Sequence, residues 1–446
     1  MSEQSRNAAN TVELPNAVPE KPVNNYHLIR NDPAFDNVYD ELLARGYIAQ
    51  STDEDAIREL LKEPGTTFYI GFDPTADSLH IGHFIPLMIM AHLQKAGHRP
   101  IALIGGGTAA IGDPSGRNDM RQMMSLDTIR ENGELFRRQL SILLDFSADR
   151  AIMVNNADWL LNLNYVSFIR DVGAHFSVNR MLAAECYKSR LEEGLTFLEF
   201  NYMLMQAYDF LVLNRKYNCQ MQLGGNDQWS NIIAGTELIR RKENRRAFGL
   251  TLNLLTTSKG DKMGKTAGGA VWLDADKFPV FDFYQYLRNI DDADVINALK
   301  LLTFVPLAEI EAYAKFTGEQ LNEAKMRLAF ETTRLIHGEA AALAAQEQAR
   351  QLFSATKGAA LDTESLPTTT YKSEELIQGI NIVDALCETG LTKTRSEARR
   401  LIDQGGVSVN EITVPDISYN ITEADLRDGA VVIRRGRKNY HRIIVQ

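Results

Sequence analysis

Strand-like and helix-like runs alternate along the first half of this sequence, and this alternation limits the folds that the chain can adopt. Thr66–Phe72 is rich in β-formers, Ile81–Leu93 is apolar and is followed by a glycine turn, and Pro100–Ile104 is another buried strand-like run. Ala151–Val154 then precedes a helix-like run at Tyr165–Val172. Alternation at this spacing predicts βαβ units and a parallel sheet, an α/β fold class. Such sheets bind ligands at the carboxyl ends of their strands.

The composition indicates a globular protein with several domains. The chain has 446 residues, of which 44% are hydrophobic and 24% charged, and domains typically span ~100–200 residues. Its three cysteines, Cys186, Cys219 and Cys387, form no CxxC pair, which argues against a disulfide framework and a cysteine zinc site. No run reaches the ~18 apolar residues of a membrane span, and the N-terminus has no apolar signal region. We therefore expect a cytoplasmic protein with no membrane partner.

Changes in composition divide the chain into five predicted segments. The N-terminus is polar and rich in asparagine, Asp282–Gln351 is rich in Ala, Leu, Glu and Gln, and Ser354–Thr370 has a linker-like mixture of Gly, Pro, Ser and Thr. Short Val/Ile runs separated by turns follow. The predicted segments are an N-terminal extension at residues 1–35, a parallel-sheet domain at 36–280, a helical domain at 281–353, a linker at 354–372 and a small α+β domain at 373–446.

Charge is distributed unevenly along the chain. The formal net charge is −10, yet Leu391–Gln446 contains 10 Lys+Arg against 7 Asp+Glu, a net of +3. Nine of these ten basic residues fall in two runs, Lys393–Arg400 and Arg434–Arg442. An acidic body with a basic tail indicates a polyanionic partner. A solvated charged surface would give the same pattern.

The most informative motif is His80-Ile81-Gly82-His83, which lies where a loop passes into a helix-like run. A helix N-terminus suits phosphates because it offers free N–H groups and the positive end of the helix dipole. Gly82 would let a nucleotide approach the backbone closely. The two imidazoles share one side of the helix start and can hydrogen-bond phosphate oxygens as charge develops. Two surface histidines are the other interpretation, and a metal site is not predicted because no third ligand lies nearby.

A second motif is the loop KGDKMGKT at Lys259–Thr266. Its two central ammonium groups, Lys262 and Lys265, can clamp a triphosphate and offset charge in the transition state. The spacing does not fit a Walker A loop. An isolated loop of lysine and glycine is usually just solvated.

Together the two motifs resemble those of the class I aminoacyl-tRNA synthetases, HIGH and KMSKS. Gly264 and Thr266 replace the two serines of the second motif, and threonine keeps a hydroxyl. The strings GFDPTADSLHIGH, GDPSGR, NYMLMQAYDF and QLGGNDQW narrow the resemblance to bacterial tyrosyl-tRNA synthetases. The resemblance implies a Rossmann-like parallel-sheet catalytic domain, a helical tRNA-binding domain and a small α+β S4-like RNA-binding domain. The S4 likeness rests on Leu391–Asn410.

The resemblance also implies a reaction, partners and site residues. L-Tyrosine would be activated with ATP and Mg²⁺, and then transferred to the 3′ end of tRNA(Tyr) by a homodimer. The implied catalytic residues are His80, His83, Lys262, Lys265 and Thr266. The implied tyrosine-binding residues are Tyr69, Asp113, Tyr202, Gln206, Asp209 and Gln228. The implied ATP-binding residues are Asp73, Thr75, His80, His83, Gly225, Asp227 and Lys265, with a weaker likeness at Arg117 and Arg121 to pyrophosphate-side residues. The implied tRNA-binding residues are Arg395, Arg399, Arg400, Arg434, Arg435, Arg437 and Lys438.

Residue spacing adds an argument for the amino-acid site. Glu199–Leu213 is helical in period, and Tyr202, Gln206 and Asp209 lie at i, i+4 and i+7 on one face of it. Polar groups on an apolar helix need partners, because each buried unpaired group costs ~1–3 kcal/mol. The other interpretation is a polar stripe that faces water.

Three other functions stay open at this point. A tryptophanyl enzyme has a similar architecture, but Tyr69 and Asp209 suit a phenol hydroxyl. A nucleotidyltransferase with an HxGH site would need neither the helical domain nor the basic tail. A non-catalytic RNA-binding relative would not need the intact histidine and lysine motifs.

Overall fold

The computed structural model describes residues 24–113, 115, 124–266, 269–355, 366–392, 394–427, 429–436 and 439–445. The chain forms two compact units, Met1–Leu343 and Ala344–Gln446. Arg117, Arg121, Arg437 and Lys438, which the sequence resemblance singled out, lie outside the described residues. No helix among the described residues is both long and apolar enough to cross a membrane.

The first unit is built on a six-stranded sheet with the order β1-β6-β5-β2-β3-β4. Its strands are β1 (Ile48–Ser51), β2 (Thr67–Phe72), β3 (Arg99–Ile104), β4 (Ile152–Asn155), β5 (Cys219–Gly225) and β6 (Phe248–Leu252). All neighbours pair in parallel except β1, which runs antiparallel to β6. The predicted parallel sheet is therefore confirmed. The strand order reverses between β2 and β5, and open sheets of this kind bind ligands at such a point.

Helices connect the strands and continue the first unit beyond the sheet. The helix α1 (Val38–Arg45) precedes β1. The helices between β1 and β6 are α2 (Glu54–Leu60), α3 (Ile81–Lys95), α4 (Leu126–Leu140), α5 (Ala157–Leu160), α6 (Tyr165–Asp171), α7 (Val178–Leu182), α8 (Glu185–Glu193), α9 (Phe197–Phe200), α10 (Tyr202–Tyr217) and α11 (Trp229–Glu243). A short hairpin, β7 (Lys265–Thr266) and β8 (Gly269–Ala270), follows the sheet. The later helices are α12 (Val280–Arg288), α13 (Val295–Leu302), α14 (Leu307–Tyr313), α15 (Leu321–His337) and α16 (Glu339–Ala355). The helix-rich character expected after Asp282 is thus observed.

The single helix expected over Glu199–Leu213 is two helices, α9 and α10, joined at Asn201. The Asn201 amide side chain donates to the carbonyl of Phe197 at 2.6 Å, so it satisfies the end of α9. The Asn201 backbone N–H also donates to the same carbonyl, at 3.2 Å. The helix α10 then begins at Tyr202, the first residue of the polar stripe.

In its described part, the second unit contains a five-stranded sheet, a two-stranded sheet, the part of α16 from Ala344 onward and three further α-helices. The strands are β9 (Thr368–Tyr371), β10 (Ile380–Asn381), β11 (Val407–Val409), β12 (Ile412–Thr413), β13 (Asn420–Ile421), β14 (Ala430–Arg435) and β15 (Asn439–Val445), and the helices are α17 (Ser373–Gln378), α18 (Ile382–Glu388) and α19 (Arg395–Asp403). The larger sheet has the order β12-β11-β14-β15-β9, and β10 pairs with β13. A core of apolar side chains such as Leu386, Val431 and Ile443 underlies it. This is the small α+β arrangement that the sequence predicted, while the finer domain limits stay predictions.

Candidate active site

A cavity of about 900 Å³ opens at the carboxyl ends of β2 and β5. The point at which the strand order reverses therefore holds a cavity large enough for small-molecule substrates. Thirteen of the site residues proposed from the sequence line it: Tyr69, Asp73, Thr75, His80, His83, Asp113, Tyr202, Gln206, Asp209, Gly225, Asp227, Gln228 and Lys262. Of Lys265 and Thr266 the structure describes the backbone strand alone.

Tyr69 and Asp209 form the buried end of this cavity. Tyr69 lies on β2, is 1% exposed, and its hydroxyl has no hydrogen-bond partner among the described residues. Burial raises its pKa well above the ordinary value, and the nearby Asp209 carboxyl adds to that rise. Burial also raises the pKa of Asp209 to about 7. A hydroxyl that needs a partner therefore lies beside a carboxyl group, although the two residues are far apart in sequence.

Two side chains that the sequence analysis missed hold the Asp209 carboxyl. Trp159 donates its indole N–H to Oδ1 at 2.7 Å, and Asn156 donates its amide to Oδ2 at 2.9 Å. Both residues follow β4, so the carboxyl end of a third strand contributes to the site. The dipeptide Asn155-Asn156 after a predicted strand was the available signal, but it resembles any loop.

The network continues from Asn156 to the opposite side of the cavity. Asn156 also donates to the hydroxyl of Thr108 at 3.0 Å, and Thr108 donates to Asp73 Oδ1 at 2.8 Å. The other oxygen of Asp73 accepts a hydrogen bond from the Tyr202 hydroxyl at 3.0 Å. Asp73, which the resemblance assigned to ATP, is thus also bonded to a residue of the polar stripe on α10.

A second acidic group lies near the same stripe. Asp113 accepts from the Gln228 side-chain amide at 2.7 Å and from the backbone N–H of Ser115 at 2.8 Å. Burial, the largest influence, raises the pKa of Asp113 to about 6. The carbonyl oxygen of the Gln206 side chain is buried and has no partner among the described residues. Carboxylate and amide oxygens therefore converge here, an arrangement suited to an ammonium group.

The two histidines cap the first turn of α3 reciprocally. His80 Nδ1 accepts from the Gly82 N–H at 3.0 Å, and His83 Nδ1 accepts from the His80 N–H at 3.2 Å. An imidazole whose Nδ1 accepts must carry its proton on Nε2 when neutral. Burial lowers the pKa of His80, which favours that neutral form. Each neutral ring thus carries its proton on Nε2 at the start of the helix.

Lys262 lies on the open side of the cavity, near Asp227. Burial raises the pKa of Asp227, and the positive charge of Lys262 opposes that rise. No group of three or more His, Cys, Asp or Glu residues in the described ranges is arranged to hold a metal ion.

Comparison with known proteins identifies the family of the chain. The family of class I tRNA synthetases for tryptophan and tyrosine matches residues 61–354. The chain belongs to this class I tRNA synthetase family. Residues 360–443 match the C-terminal domain of the tyrosine–tRNA ligase SYY-like type.

Individual relatives of this synthetase are similar over nearly the whole chain. The tyrosine–tRNA ligase of Acetivibrio thermocellus is 60% identical over 407 residues, which cover 91% of this chain and 99% of that protein. The tyrosine–tRNA ligase of Clostridium tetani is 57% identical over 410 residues, which cover 92% of this chain and 99% of that protein.

Solved structures share the fold of this synthetase. A C-terminally truncated mitochondrial tyrosyl-tRNA synthetase of Aspergillus nidulans is 31% identical with a TM-score of 0.64, covering 72% of this chain and 95% of that chain. A tryptophanyl-tRNA synthetase of Encephalitozoon cuniculi is 14% identical with a TM-score of 0.52, and the match covers 69% of this chain and 87% of that chain. This likeness concerns the fold alone.

The basic residues of the second unit of the synthetase differ in whether other protein groups already bind their side chains. Arg399 and Arg400 are exposed on α19 and have no ion-pair partner among the described residues. Arg395 pairs with Asp384 at 2.8 Å. The remaining two lie on β14, where Arg434 donates to Ser408 at 2.9 Å and Arg435 pairs with Glu397 at 2.9 Å. The first two are therefore the ones best able to meet a phosphate.

Proposed function

We propose that this synthetase is a tyrosine–tRNA ligase. It activates L-tyrosine with ATP to tyrosyl-adenylate, releases pyrophosphate, and then transfers tyrosine to the 3′ end of tRNA(Tyr). The observation that carries the proposal is the buried Tyr69 hydroxyl beside the Asp209 carboxyl. The tyrosine–tRNA ligases that resemble the chain over almost its full length support it.

The chemistry of this pair favours a phenol over other side chains. A phenol hydroxyl is both a donor and an acceptor, whereas an indole N–H only donates and a phenyl ring does neither. Tyr69 would donate to the phenol oxygen while Asp209 accepts the phenol proton. Tryptophan would leave the Tyr69 hydroxyl without an acceptor, and phenylalanine would leave both groups unpaired at a cost of ~1–3 kcal/mol each.

The ammonium group of tyrosine would lie at the opposite end of the substrate. Asp113 and Gln206 offer acceptor oxygens, and the Tyr202 hydroxyl keeps a lone pair while it donates to Asp73. Gln228 donates to Asp113 and so orients its carboxyl. The substrate carboxylate is then directed toward the histidines and the nucleotide.

Adenylate formation needs no general base, because a carboxylate is already ionised at pH 7. An oxygen of the tyrosine carboxylate bonds to the α-phosphorus of ATP, and the bond from that phosphorus to the bridging oxygen breaks to release pyrophosphate. The Nε2–H groups of His80 and His83 donate to phosphate oxygens as charge develops. Lys262, Lys265 and Thr266 act on the departing pyrophosphate.

The nucleotide itself is bound by a further set of groups. Asp227 suits the ribose hydroxyls. Mg²⁺ would be held mainly by the triphosphate, as is common for this ion, and would offset negative charge there. The proposed nucleotide-side residues also include Asp73, Thr75 and Gly225, together with Arg117 and Arg121 for the pyrophosphate.

Tyrosine-dependent exchange of pyrophosphate with ATP tests the proposal. The full chain is assayed with Mg²⁺ and each of the twenty amino acids in turn. We expect rapid exchange with tyrosine and, at equal concentration, exchange with tryptophan or phenylalanine that is slower by orders of magnitude. Exchange with tryptophan alone, or folded protein that exchanges with no amino acid, would refute the assignment.

We propose that the second unit, an S4-like RNA-binding domain, contacts tRNA through Arg395, Arg399, Arg400, Arg434, Arg435, Arg437 and Lys438. The double variant Arg399→Ala, Arg400→Ala is expected to weaken tRNA binding. The slope of log K against log salt concentration is expected to become shallower by about one to two units, since each lost phosphate contact removes roughly 0.7–0.9 of that slope. Filter binding at several salt concentrations measures the slope. The matched control is Glu411→Ala, an exposed residue of the same unit that carries the opposite charge. An unchanged slope in the double variant would contradict the assignment.

We also propose that the chain acts as a homodimer in the cytoplasm, where tRNA and ATP are available. Exposed apolar side chains are concentrated between Leu161 and Leu198, including Val166 at 72% and Phe197 at 68% exposure. Exposed apolar side chains that form one patch are typical of a protein interface, and we propose that this segment contributes to the contact between subunits. Sedimentation equilibrium is expected to give twice the chain mass of 50.0 kDa, and a single-chain mass at micromolar concentration would exclude the dimer.

A further inference from the structure

The second lysine motif packs against the first histidine motif at one glycine. Gly264 has φ +94°, and a Cβ added there would lie 2.3 Å from Cγ2 of Ile81. Ile81 is fully buried and is the first residue of α3, between the two residues His80 and Gly82. Any side chain at position 264 would therefore collide with the start of α3 and also adopt a strained backbone.

A tyrosine on α12 holds the same glycine from another side. The Gly264 N–H donates to the Tyr286 hydroxyl at 2.8 Å. The Gly264 carbonyl accepts from the N–H of Val271, and the Val271 carbonyl in turn accepts from the N–H of Ile81, both at 2.9 Å. Burial raises the pKa of Tyr286, so its hydroxyl stays protonated at neutral pH. Both backbone polar groups of Gly264 are thus engaged, one through a side chain remote in sequence.

These contacts hold the backbone on either side of Lys262 and Lys265. Lys262 precedes the anchored glycine by two residues and lines the cavity, and Lys265 follows it directly. Between Lys262 and Gly264, the Met263 N–H donates to the Leu255 carbonyl at 2.9 Å. The backbone around both lysines is therefore attached to α3 and α12 rather than free.

We propose that Tyr286 is a positioning residue for adenylate formation. Its hydroxyl, together with the close approach of Gly264 to Ile81, holds the loop so that Lys262 and Lys265 meet the triphosphate. This inference rests on the proposed tyrosine activation. It also explains why position 264 is glycine and not the serine of the general motif, since a side chain there would collide with Ile81.

The test removes the Tyr286 hydroxyl and keeps its ring. Tyr286→Phe leaves the Gly264 N–H without its acceptor and is expected to lower kcat for tyrosine-dependent pyrophosphate exchange about tenfold. The Kd for tyrosine, measured by equilibrium dialysis without ATP, is expected to stay within about twofold, because we assign the lysines of the loop to the triphosphate and not to the amino acid. A purely structural role would move thermal stability without this selective loss of kcat.

Tyr313→Phe is the matched control for the lost hydroxyl. The Tyr313 hydroxyl donates to Glu309 at 3.2 Å, on α14 and away from the lysine loop. This variant is expected to keep the parent kcat. An equal loss of kcat in both phenylalanine variants would overturn the inference.

A steric comparison tests the same anchor independently of Tyr286. Gly260 has φ +85° but nothing within 4 Å of an added Cβ, so Gly260→Ala measures backbone strain alone. Gly264→Ala is expected to lose at least about tenfold more kcat than Gly260→Ala, since it adds a collision to the strain. In the Ile81→Ala background, which removes the colliding atom, the additional loss from Gly264→Ala is expected to be smaller.

The outcomes separate this inference from the proposed function. Absence of tyrosine-dependent exchange in the parent chain would refute the function itself. Parent exchange that persists unchanged in Tyr286→Phe would refute the positioning role alone. Equal losses in Gly264→Ala and Gly260→Ala would likewise overturn the close approach to Ile81 as the cause.

Discussion

Replacing His80 by asparagine is expected to lower kcat for tyrosyl-adenylate formation by about 10²-fold, the typical cost of removing one preorganised transition-state donor. The Nδ1 atom of His80 caps α3 by accepting from the Gly82 N–H at 3.0 Å. An asparagine oxygen can take over this cap, because asparagine is among the preferred N-cap residues. Its shorter amide cannot reach where the imidazole Nε2–H does. The asparagine variant therefore removes the donor to phosphate while it keeps the helix cap.

The measurement is single-turnover adenylate formation, with the Kd for tyrosine determined separately. His80→Ala is the companion variant, since it removes both the donor and the cap and should lose about 1 kcal/mol of stability in addition. Asn37→Ala is the control for capping alone: Asn37 caps α1 by accepting from the Tyr39 N–H at 2.8 Å. It is expected to lower stability and leave kcat unchanged. A fully active His80→Asn variant would exclude the imidazole from the chemistry.

Replacing Asp209 by alanine is expected to weaken tyrosine activation by roughly 10- to 100-fold and to narrow the preference for tyrosine over phenylalanine by a similar factor. Hydrogen bonds to charged groups contribute about 1.5–3 kcal/mol, and each 1.4 kcal/mol corresponds to about tenfold. The loss falls on tyrosine and spares phenylalanine, because phenylalanine has no hydroxyl to donate to Asp209.

Pyrophosphate exchange with both amino acids gives the two values of kcat/KM and their ratio. Asp209→Ala also leaves the donors of Asn156 and Trp159 unpaired, so a general loss of stability must be separated from a loss of recognition. Trp159→Phe serves as the control, since it removes one of those donors and keeps the carboxyl. It is expected to change the ratio much less than Asp209→Ala. An unchanged tyrosine-to-phenylalanine ratio in Asp209→Ala would refute the proposed role of the carboxyl.

Several features of the site could be predicted from local sequence because their physical causes are local. Alternation of strand-like and helix-like runs predicted the parallel sheet, and the start of α3 at Ile81 follows from a loop that meets an apolar helical run. The spacing of Tyr202, Gln206 and Asp209 predicted one helix face, and all three side chains line the cavity. The break at Asn201 was missed, since the residues on both sides of it are helical and the sequence pattern runs through it.

Other features depend on contacts between remote segments and have no local signal. Asn156, Trp159 and Thr108 are ordinary loop residues in the sequence, and only the packing of strands with parallel register brings them to Asp209 and Asp73. The same holds for Tyr286, which an isolated helical pattern cannot connect to Gly264.

The sequence by itself thus determined the sheet, the polar stripe and the two motifs that we propose bind phosphate, because hydrophobic period, turn residues and helix starts act over a few neighbouring positions. The tertiary structure decided which polar groups share one cavity and which of them lack a partner there. It also decided that burial raises the pKa of Asp113 to about 6 and that of Asp209 to about 7. Desolvation and hydrogen-bond geometry arise from the packing of segments far apart in the chain, so no local pattern can specify them.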